Sequence, residues 1–203
     1  MSRTDSRPAS RPARAAPRAA PHEVRIVGGL WKRTRLPVAD KPGLRPTPDR
    51  VRETLFNWLG QDLAGWRCVD AFAGTGALGL EAASRGAAEV LLVEADGELA
   101  DGLRAIVKRL DASDRVKVQR ANALTVLAGL PPGGMDLVFL DPPFDADVFD
   151  KAIAAARPAL APQGLLYLEA PREFTAASLA RLGLAVHRHL RAGAVHAHLL
   201  CHA

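Results

Sequence analysis

Cys68-Val69-Asp70-Ala71-Phe72-Ala73-Gly74-Thr75-Gly76 is the stretch of sequence that decides the fold. A short apolar run ends at an acidic residue and passes into a loop that contains two glycines. Gly74 and Gly76 let the backbone approach a ligand closely, and the helix predicted to follow directs its free amides at that ligand. The stretch therefore predicts a strand, a ligand-binding loop and a helix in succession.

The chain beyond this stretch alternates short apolar runs with segments of helical periodicity. Because the apolar runs are continuous rather than alternating, they predict a parallel sheet that helices cover on both faces. Residues 184–190 and 195–201 predict an antiparallel pair that closes the sheet. The predicted fold class is α/β, with a doubly wound, mostly parallel sheet. The five parallel strands are predicted at residues 68–72, 90–93, 116–119, 137–140 and 165–168, and the helices at 78–84, 98–110, 123–130 and 148–156.

Polar residues lie at the ends of four of the predicted parallel strands, where ligands bind in an open parallel sheet. Asp70, Glu94 and Asp141 end the first, second and fourth strands, and Asn122 follows the third. Glu94 lies 18 positions after Gly76, the placement expected of an acid that accepts hydrogen bonds from ribose hydroxyls. Each residue also has a purely structural interpretation, such as a helix cap for Asn122. Their joint occurrence at successive strand ends predicts a nucleoside-binding site.

The tetrapeptide Asp141-Pro142-Pro143-Phe144 ends the fourth strand. The prolines predict a rigid turn, because each fixes its own φ and forces its predecessor to be extended. Asp141 and the Pro142 carbonyl are placed to accept the two N–H groups of a planar amine, which localises its lone pair for attack on a methyl donor. Phe144 is predicted to stack on a base, a contact worth about 1–3 kcal/mol. The tetrapeptide therefore predicts methyl transfer to a nitrogen, with S-adenosylmethionine as the donor.

The positive charge is concentrated in the first 50 residues, which hold 12 Lys and Arg against 4 Asp and Glu. The remaining 15 Lys and Arg and 18 Asp and Glu give the rest of the chain a net charge of −3. This asymmetry favours a polyanionic partner, because each cation that neutralises a phosphate releases counterions. The alternative is that the excess arginine only keeps the protein soluble.

The N-terminal part divides into a tail and a small extension ahead of the main domain. Residues 1–23 are rich in Arg, Pro and Ala and predict a disordered tail. Residues 24–27 and 31–36 predict a basic hairpin. Thr47 is predicted to cap a helix with Pro48 at its first position. We therefore divide the chain at residues 1–23, 24–60 and 61–203. The helix is expected to bury Val51, Leu55, Trp58 and Leu59, and to leave Lys41, Arg45, Arg50 and Arg52 free for solvent or phosphate.

Several classes of protein are disfavoured by the composition. No apolar run reaches the roughly 18 residues that a membrane-spanning helix requires, and residues 1–22 lack the apolar centre of a secretory signal. The chain has two cysteines, Cys68 and Cys201, without metal-binding spacing, so a reducing cytoplasm is expected. The histidines at 187, 189, 196 and 198 alternate on two neighbouring strands and so share a face, but no carboxylate is placed with them. We therefore expect no metal site.

Three segments make the sequence similar to a known family. They are residues 24–29 (VRIVGG), 44–59 (LRPTPDRVRETLFNWL) and 77–82 (ALGLEA). Together with the glycine loop and the Asp-Pro-Pro-Phe tetrapeptide, they resemble the bacterial small-subunit rRNA guanine-N2 methyltransferases of the RsmD type, among the class I S-adenosylmethionine-dependent enzymes. The resemblance covers about residues 24–203. It implies a seven-stranded sheet, methylation of guanine 966 of 16S rRNA, and a substrate presented in an assembled or nearly assembled small subunit. A monomer is expected.

The resemblance also implies roles for individual residues of this chain. The tetrapeptide, Asp141 to Phe144, would hold the guanine as the catalytic group. The RNA-binding residues would be Arg25, Lys32, Arg33, Arg35, Arg45 and Arg50. The cofactor-binding residues would be Asp70, Ala71, Phe72, Gly74, Gly76, Glu94, Ala95, Asn122 and Ala123. The N-terminal tail is an addition that the resemblance does not explain, and His196 stands where an aromatic residue is more familiar.

Three other functions remain open from the residues alone. A nicotinamide-dependent oxidoreductase would use the same glycine loop and Glu94, but it would leave the Asp141 tetrapeptide without a purpose. A DNA adenine-N6 or protein glutamine-N5 methyltransferase would use a similar tetrapeptide, and only the N-terminal segment argues against it. A non-catalytic RNA-binding assembly factor would keep the basic hairpin.

Overall fold

The computed structural model of the protein describes residues 23–41, 47–143 and 148–203. In these ranges the chain forms one two-stranded sheet and one seven-stranded sheet. The predictions for residues 1–22, for Arg45 and for Phe144 lie outside the described residues. Within the same ranges, no helix combines the length and the apolar character needed to cross a membrane.

The N-terminal hairpin is present, with shorter strands than the sequence predicts. Strand β1 (Glu23–Arg25) pairs antiparallel with β2 (Arg35–Pro37), while residues 30–33 form turns rather than an extended stretch. The turn packs on the main domain, where the Leu30 amide donates a 2.7 Å hydrogen bond to the Ser84 carbonyl. Gly29 has φ +73°, and a Cβ there would overlap that same carbonyl. The glycine therefore permits close docking of the hairpin.

The first helix, α1 (Asp49–Leu59), begins one residue later than predicted. Pro48 is its N-cap and makes no side-chain capping bond, so the prediction of Thr47 as the cap is wrong. The Thr47 hydroxyl instead donates a 3.4 Å hydrogen bond to Asp141 Oδ2, across 94 positions of sequence. As predicted, α1 buries Val51, Leu55 and Leu59; Phe56 and Arg52 are also buried, and Trp58 is half-buried.

The large sheet confirms the predicted α/β class. Its strand order is β5-β4-β3-β6-β7-β9-β8, with β3 to β7 parallel and β9 antiparallel to both β7 and β8. Strand β7 begins five residues before the predicted segment. The strands are β3 (Arg67–Asp70), β4 (Glu89–Glu94), β5 (Val116–Arg120), β6 (Met135–Leu140), β7 (Leu160–Ala170), β8 (Leu184–Ala192) and β9 (Val195–His202).

Helices cover both faces of this sheet. One face carries α1 with α2 (Ala77–Ser84) and α3 (Gly97–Arg109), and the hairpin residues Ile26 and Leu36 join the same core. The other carries α4 (Ala123–Ala128), α5 (Phe149–Ala156) and α6 (Ala176–Ala180), of which α6 was not predicted. A 3₁₀ turn (Arg157–Ala159) leads into β7. The N-terminal extension and the sheet thus share a hydrophobic core.

Arg52 is the clearest departure from the sequence-based expectations. Its side chain is fully buried rather than free for phosphate, and it ion-pairs with Asp49 Oδ1 at 2.6 Å and Glu81 Oε2 at 3.4 Å. It also donates hydrogen bonds to the carbonyls of Arg25 (2.7 Å) and Thr47 (3.3 Å). The helical period places Arg52 on the buried face, three positions before Leu55 and seven before Leu59. The pattern could not show two of its partners, Glu81 and the carbonyl of Arg25, because they are distant in sequence.

A second buried arginine completes this network. Arg85 pairs with Glu81 Oε1 at 2.8 Å, and its guanidinium lies over the Phe56 ring, 4.6 Å from the centroid. Glu81 Oε2 also accepts the Val27 amide at 2.7 Å. Glu81 on α2 therefore joins the hairpin, α1 and the sheet domain through one carboxylate.

Replacement of Arg52 by alanine is expected to lower the free energy of unfolding by about 3–5 kcal/mol, because it removes one partner of a buried ion pair. Urea denaturation followed by circular dichroism measures this change. Arg50→Ala, on the exposed face of the same helix, is the matched control and is expected to change stability by less than about 0.5 kcal/mol. Equal stability of the two variants would contradict a structural role for the network.

Candidate active site at the carboxyl edge of the sheet

The loop after β3 has the conformation that its glycines predict. Gly74 has φ +51° and Gly76 has φ +76°, and Gly76 is the N-cap of α2. A Cβ at Gly76 would lie 2.7 Å from Leu103 Cδ2, so α3 packs directly against the loop. Both glycines are therefore required where the chain turns from strand to helix with its backbone amides directed at the carboxyl edge.

Asp70 ends β3 and is buried beneath this loop. Its Oδ2 accepts the Gly79 amide at 3.0 Å, and its Oδ1 has no partner among the described residues. Burial, reinforced by the nearby charge of Glu94, raises the pKa of Asp70 to about 7 and outweighs the opposing hydrogen bond from Gly79. The Asp70 carboxylate, with its raised pKa, is therefore suited to accept a hydrogen bond from a positively charged group.

Glu94 links the two loops that the sequence assigned to the cofactor. Its Oε2 accepts the Gly74 amide and its Oε1 accepts the Asp96 amide, each at 2.8 Å. Glu94 is half-buried, and Ala95 beside it is exposed. The structure therefore brings the end of β4 against the glycine loop, as expected for strand ends that meet at one edge of a parallel sheet.

The other predicted cofactor residues differ in their exposure. Asn122 Oδ1 accepts the Thr125 amide at 3.2 Å, so it caps α4, which is the structural interpretation that the sequence left open. Ala71 and Ala123 are buried in the core between the sheet and α4, whereas Phe72 is half-buried at the edge of that core. Only the exposed amide group of Asn122 and the half-buried Phe72 ring remain near the surface.

Lys41 closes the hairpin side of the loop instead of remaining free for phosphate. Its ammonium pairs with Asp96 at 2.6 Å and with Glu98 at 2.7 Å, and the hydrogen bonds to these carboxylates raise the pKa of Lys41. Val38 and Ala39 face Gly74 and Thr75 across a cleft of about 160 Å³. The segment after β2 thus forms one wall beside the glycine loop.

Asp141 follows β6 directly and lies on the same sheet edge. Burial, followed by the charges of Glu169 and Asp70, raises the pKa of Asp141 well above its usual value, against the Thr47 hydrogen bond. Pro142 is buried and Pro143 is exposed. The Asp-Pro-Pro turn is thus held to the protein by Asp141 and Pro142, while Pro143 is exposed to solvent.

Two residues of β7 belong to this site and were not predicted. Glu169 is buried, and its Oε1 accepts a 2.8 Å hydrogen bond from the Tyr167 hydroxyl. Burial raises the pKa of Glu169, although hydrogen bonds from Tyr167 and Thr47 and the charge of Arg52 oppose this. An acid directly after the fifth apolar run is the same signal that identified Glu94 and Asp141.

The predicted RNA-binding cations in the described part of the chain are all exposed. Arg25 pairs with Asp49 at 3.1 Å and Arg35 pairs with Glu23 at 3.0 Å. Lys32 and Arg33 make no ion pair with any described residue and lie in the hairpin turn. Arg50 is exposed on α1. The hairpin turn therefore carries positive charge that no described carboxylate neutralises, in contrast to Arg25 and Arg35.

These features together define a class of protein. The large sheet has six parallel strands, β3 to β8, and one antiparallel strand, β9, which lies between β7 and β8. This order, with a glycine loop after β3 and an Asp-Pro-Pro turn after β6, is the architecture of a class I methyltransferase. The crevice lies between the carboxyl ends of β3 and β6, where the order of strands reverses.

Comparison with known proteins gives the family. A family model described as "Conserved hypothetical protein 95" matches residues 24–201. Ribosomal RNA small subunit methyltransferase D from Escherichia coli is 44% identical over 155 residues, covering 74% of this chain and 76% of the relative. The Haemophilus influenzae protein of the same name is 41% identical over 157 residues, covering 74% and 80%. The chain belongs to this family of RsmD-type methyltransferases.

Solved structures agree with this assignment. The structure of yhhF from Escherichia coli shares 40% identity and superposes with a TM-score of 0.76 over 89% of this chain and 98% of its own. The structure of HI0767 from Haemophilus influenzae shares 32% identity, with a TM-score of 0.72 over 88% and 97%. The resemblance stated from the sequence motifs is confirmed at the level of family and fold.

Proposed function

We propose that this protein transfers a methyl group from S-adenosylmethionine to the exocyclic N2 of a guanine, guanine 966, in 16S ribosomal RNA. The observation that carries the proposal is Asp141, held by Thr47 beside the glycine loop. The names of the relatives with 44% and 41% identity support small-subunit ribosomal RNA as the substrate. The proposal includes action as a monomer, in the cytoplasm, on an assembled or nearly assembled small subunit.

The residues of the glycine loop fit the proposed cofactor. Asp70 Oδ1, which has no partner among the residues the structure describes, offers an acceptor to an ammonium group. Gly74 and Gly76 have no side chains, so a ligand can approach their backbone closely. Glu94 offers further lone pairs to ribose hydroxyls, and the amide of Asn122 remains for an adenine edge. S-adenosylmethionine supplies an activated methyl group when it is bound.

Asp141 and Pro142 would prepare the guanine amine. The lone pair of this amine is delocalised into the base, so the amine is a poor nucleophile. Acceptors that draw its two N–H groups out of the plane of the base localise the lone pair on the nitrogen. Asp141 accepts one N–H and the Pro142 carbonyl accepts the other, while the Thr47 hydroxyl orients Asp141 through its Oδ2. Phe144 is proposed to stack on the base. Most of the rate enhancement then comes from positioning and from preorganised charge.

Asp141 is also suited to receive the proton that the amine loses after attack. The raised pKa of Asp141 makes its carboxylate a stronger base than an exposed aspartate. The same shift means that the carboxylate must first be ionised, so methylation is expected to rise with pH. Glu169 contributes to this shift through its charge and does not itself need to touch the substrate.

The basic hairpin turn is proposed to contact the RNA backbone. Lys32 and Arg33 lie in the turn, and Arg25, Arg35 and Arg50 add exposed positive charge around it. Arg45 is part of the same proposal. Phosphate contacts of this kind position the substrate and do not select the base. Selection of guanine is therefore left to the Asp-Pro-Pro-Phe turn.

Asp141→Ala is expected to lower kcat/KM for methylation by about 10²–10⁴-fold while leaving RNA affinity unchanged, because it removes the amine acceptor alone. The assay transfers labelled methyl from S-adenosylmethionine to small subunits and to naked 16S rRNA from cells that lack the modification, and nucleoside analysis identifies the product.

Asp114→Ala is the matched control for this test, since it removes an exposed aspartate at the opposite end of the strands. N2-methylguanosine in RNA from wild-type reactions supports the proposal, and unchanged methylation by Asp141→Ala contradicts the assigned mechanism. Label found in adenine or in protein glutamine would favour the other amino-methyltransferase reactions. RNA binding without any label would favour an assembly factor.

Glu169→Gln is expected to move the ascending limb of the pH profile of kcat/KM to lower pH. Removal of the Glu169 charge takes away a contribution that raises the pKa of Asp141, so Asp141 ionises at lower pH. The glutamine keeps an acceptor for the Tyr167 hydroxyl. Glu53→Gln, at an exposed position of α1, is the control and should leave the limb in place. A limb that moves to higher pH would contradict the assigned coupling.

The double variant Lys32→Gln, Arg33→Gln is expected to weaken RNA binding and to reduce the slope of log affinity against log salt by about 0.7–0.9 for each phosphate that is no longer neutralised. Binding to 16S rRNA fragments is measured across salt concentrations. The control is Arg181→Gln, Arg188→Gln, which removes the same charge from exposed positions near the far edge of the sheet. Equal slopes for the two double variants would remove the hairpin turn from the RNA interface.

A further inference from the structure

A cluster of potential metal ligands lies near the β8 edge of the sheet, apart from the methyl-transfer residues. Glu173, His189 and His196 each offer one ligand atom, and these three atoms all lie within 4.8 Å of one another. The sequence predicts no metal site here, because it shows no carboxylate beside the histidines. The structure corrects this premise, since the segment between β7 and α6 brings Glu173 to two of the imidazoles.

The two histidines are preorganised by the β8–β9 pairing. His189 lies opposite His198, and Arg191 lies opposite His196, so His189 and His196 are diagonal neighbours across the strands. Their nitrogens, His189 Nε2 and His196 Nδ1, are 3.1 Å apart, and the two rings are stacked within 13° of parallel. The sheet therefore holds two metal-binding nitrogens in place without the help of a loop.

The backbone that carries Glu173 is fixed to the same strands. The Phe174 amide donates a 3.1 Å hydrogen bond to His198 Nε2, and the Phe174 ring packs edge-on against the His198 ring. Phe174 is itself buried against Phe149 at the start of α5. Glu173 is thus anchored through its neighbour while its own carboxylate reaches the exposed side of the cluster.

The distances fit a small transition metal. Metal–nitrogen bonds of about 2.0–2.1 Å in tetrahedral geometry place neighbouring ligand atoms about 3.3–3.5 Å apart. The imidazole nitrogens already lie near that separation, where they share a hydrogen bond. A metal ion would replace this hydrogen bond by two metal–nitrogen bonds and release its proton, and the Glu173 carboxylate lies within 4.8 Å of both nitrogens. Two imidazoles and one carboxylate suit zinc better than magnesium or calcium, which prefer ligand sets made of oxygen atoms.

We propose that Glu173, His189 and His196 form a binding site for a divalent transition metal, zinc foremost, with one coordination position left open. The metal would join the segment after β7 to the β8–β9 pair. His196 lies opposite Ala170 and is followed by Ala197 opposite Glu169, so alternation directs His196 to the sheet face opposite to Glu169. The site is therefore separate from the proposed methyl-transfer chemistry.

The test uses the full chain without an affinity tag, freed of metal with a chelator and then dialysed. Titration with zinc sulfate by calorimetry is expected to show one site per chain, and cobalt chloride is expected to give the visible spectrum of a four-coordinate ion. Zinc is also expected to raise the melting temperature, because it binds the folded state. His189→Ala and His196→Ala should each weaken zinc binding at least 100-fold, and Glu173→Gln at least tenfold.

His187→Ala is the matched control, since His187 is an exposed histidine of the same strand outside the cluster, and it should bind zinc as the wild type does. The proposal is overturned if the wild type binds no zinc in the micromolar range, or if His187→Ala weakens binding as much as His189→Ala. A thiolate charge-transfer band with cobalt would place the metal on a cysteine and would overturn it equally. Neither outcome depends on methylation.

Discussion

The contact on which the arrangement of this molecule depends is the buried ion pair between Arg52 and Glu81. Arg52 reaches Glu81 on α2, Asp49 on its own helix and the carbonyl of Arg25 in the hairpin. Removing two charges from water costs free energy that their mutual attraction only partly returns, so such a pair is a weak source of net stability. The ion pair instead restricts the N-terminal extension to one docked orientation, because any other orientation would leave a buried charge without its partners.

That orientation extends to the proposed active site through consecutive contacts. Arg52 Nε donates to the Thr47 carbonyl at 3.3 Å, and the Thr47 hydroxyl in turn donates to Asp141. The extension is therefore proposed to do more than contact RNA. Thr47, in the segment that leads into α1, supplies a hydroxyl to the group proposed to hold the substrate amine. A single structural unit thus connects the surface proposed to contact RNA with the residue proposed to act on the base.

The parts of the fold that were predicted correctly are those determined by short stretches of sequence. Continuous apolar runs identified the strands, and glycines with an acid at the strand end identified the loop at Gly74. Contacts between distant residues were not visible: Thr47 has the residue type and place of a helix cap, and its partner lies 94 positions away. Arg52 was grouped with the cations free for solvent, although it lies three positions before Leu55 and seven before Leu59 on the buried face of α1. Glu169 was missed although its position follows the rule that found Asp141.

The charge balance at the carboxyl edge explains why these long-range contacts matter. Asp70 and Glu169 are buried and Asp141 is partly buried, and removal from solvent raises the pKa of each of them. The charge of Arg52 lowers the pKa of Glu169, and the charges of Glu169 and Asp70 raise that of Asp141. Such a site favours ligands that carry positive charge, because a nearby cation offsets the repulsion between the carboxylates and so lowers their pKa values. Binding of a cationic methyl donor and ionisation of Asp141 would therefore support each other, so that the carboxylate becomes a competent acceptor when the donor is in place.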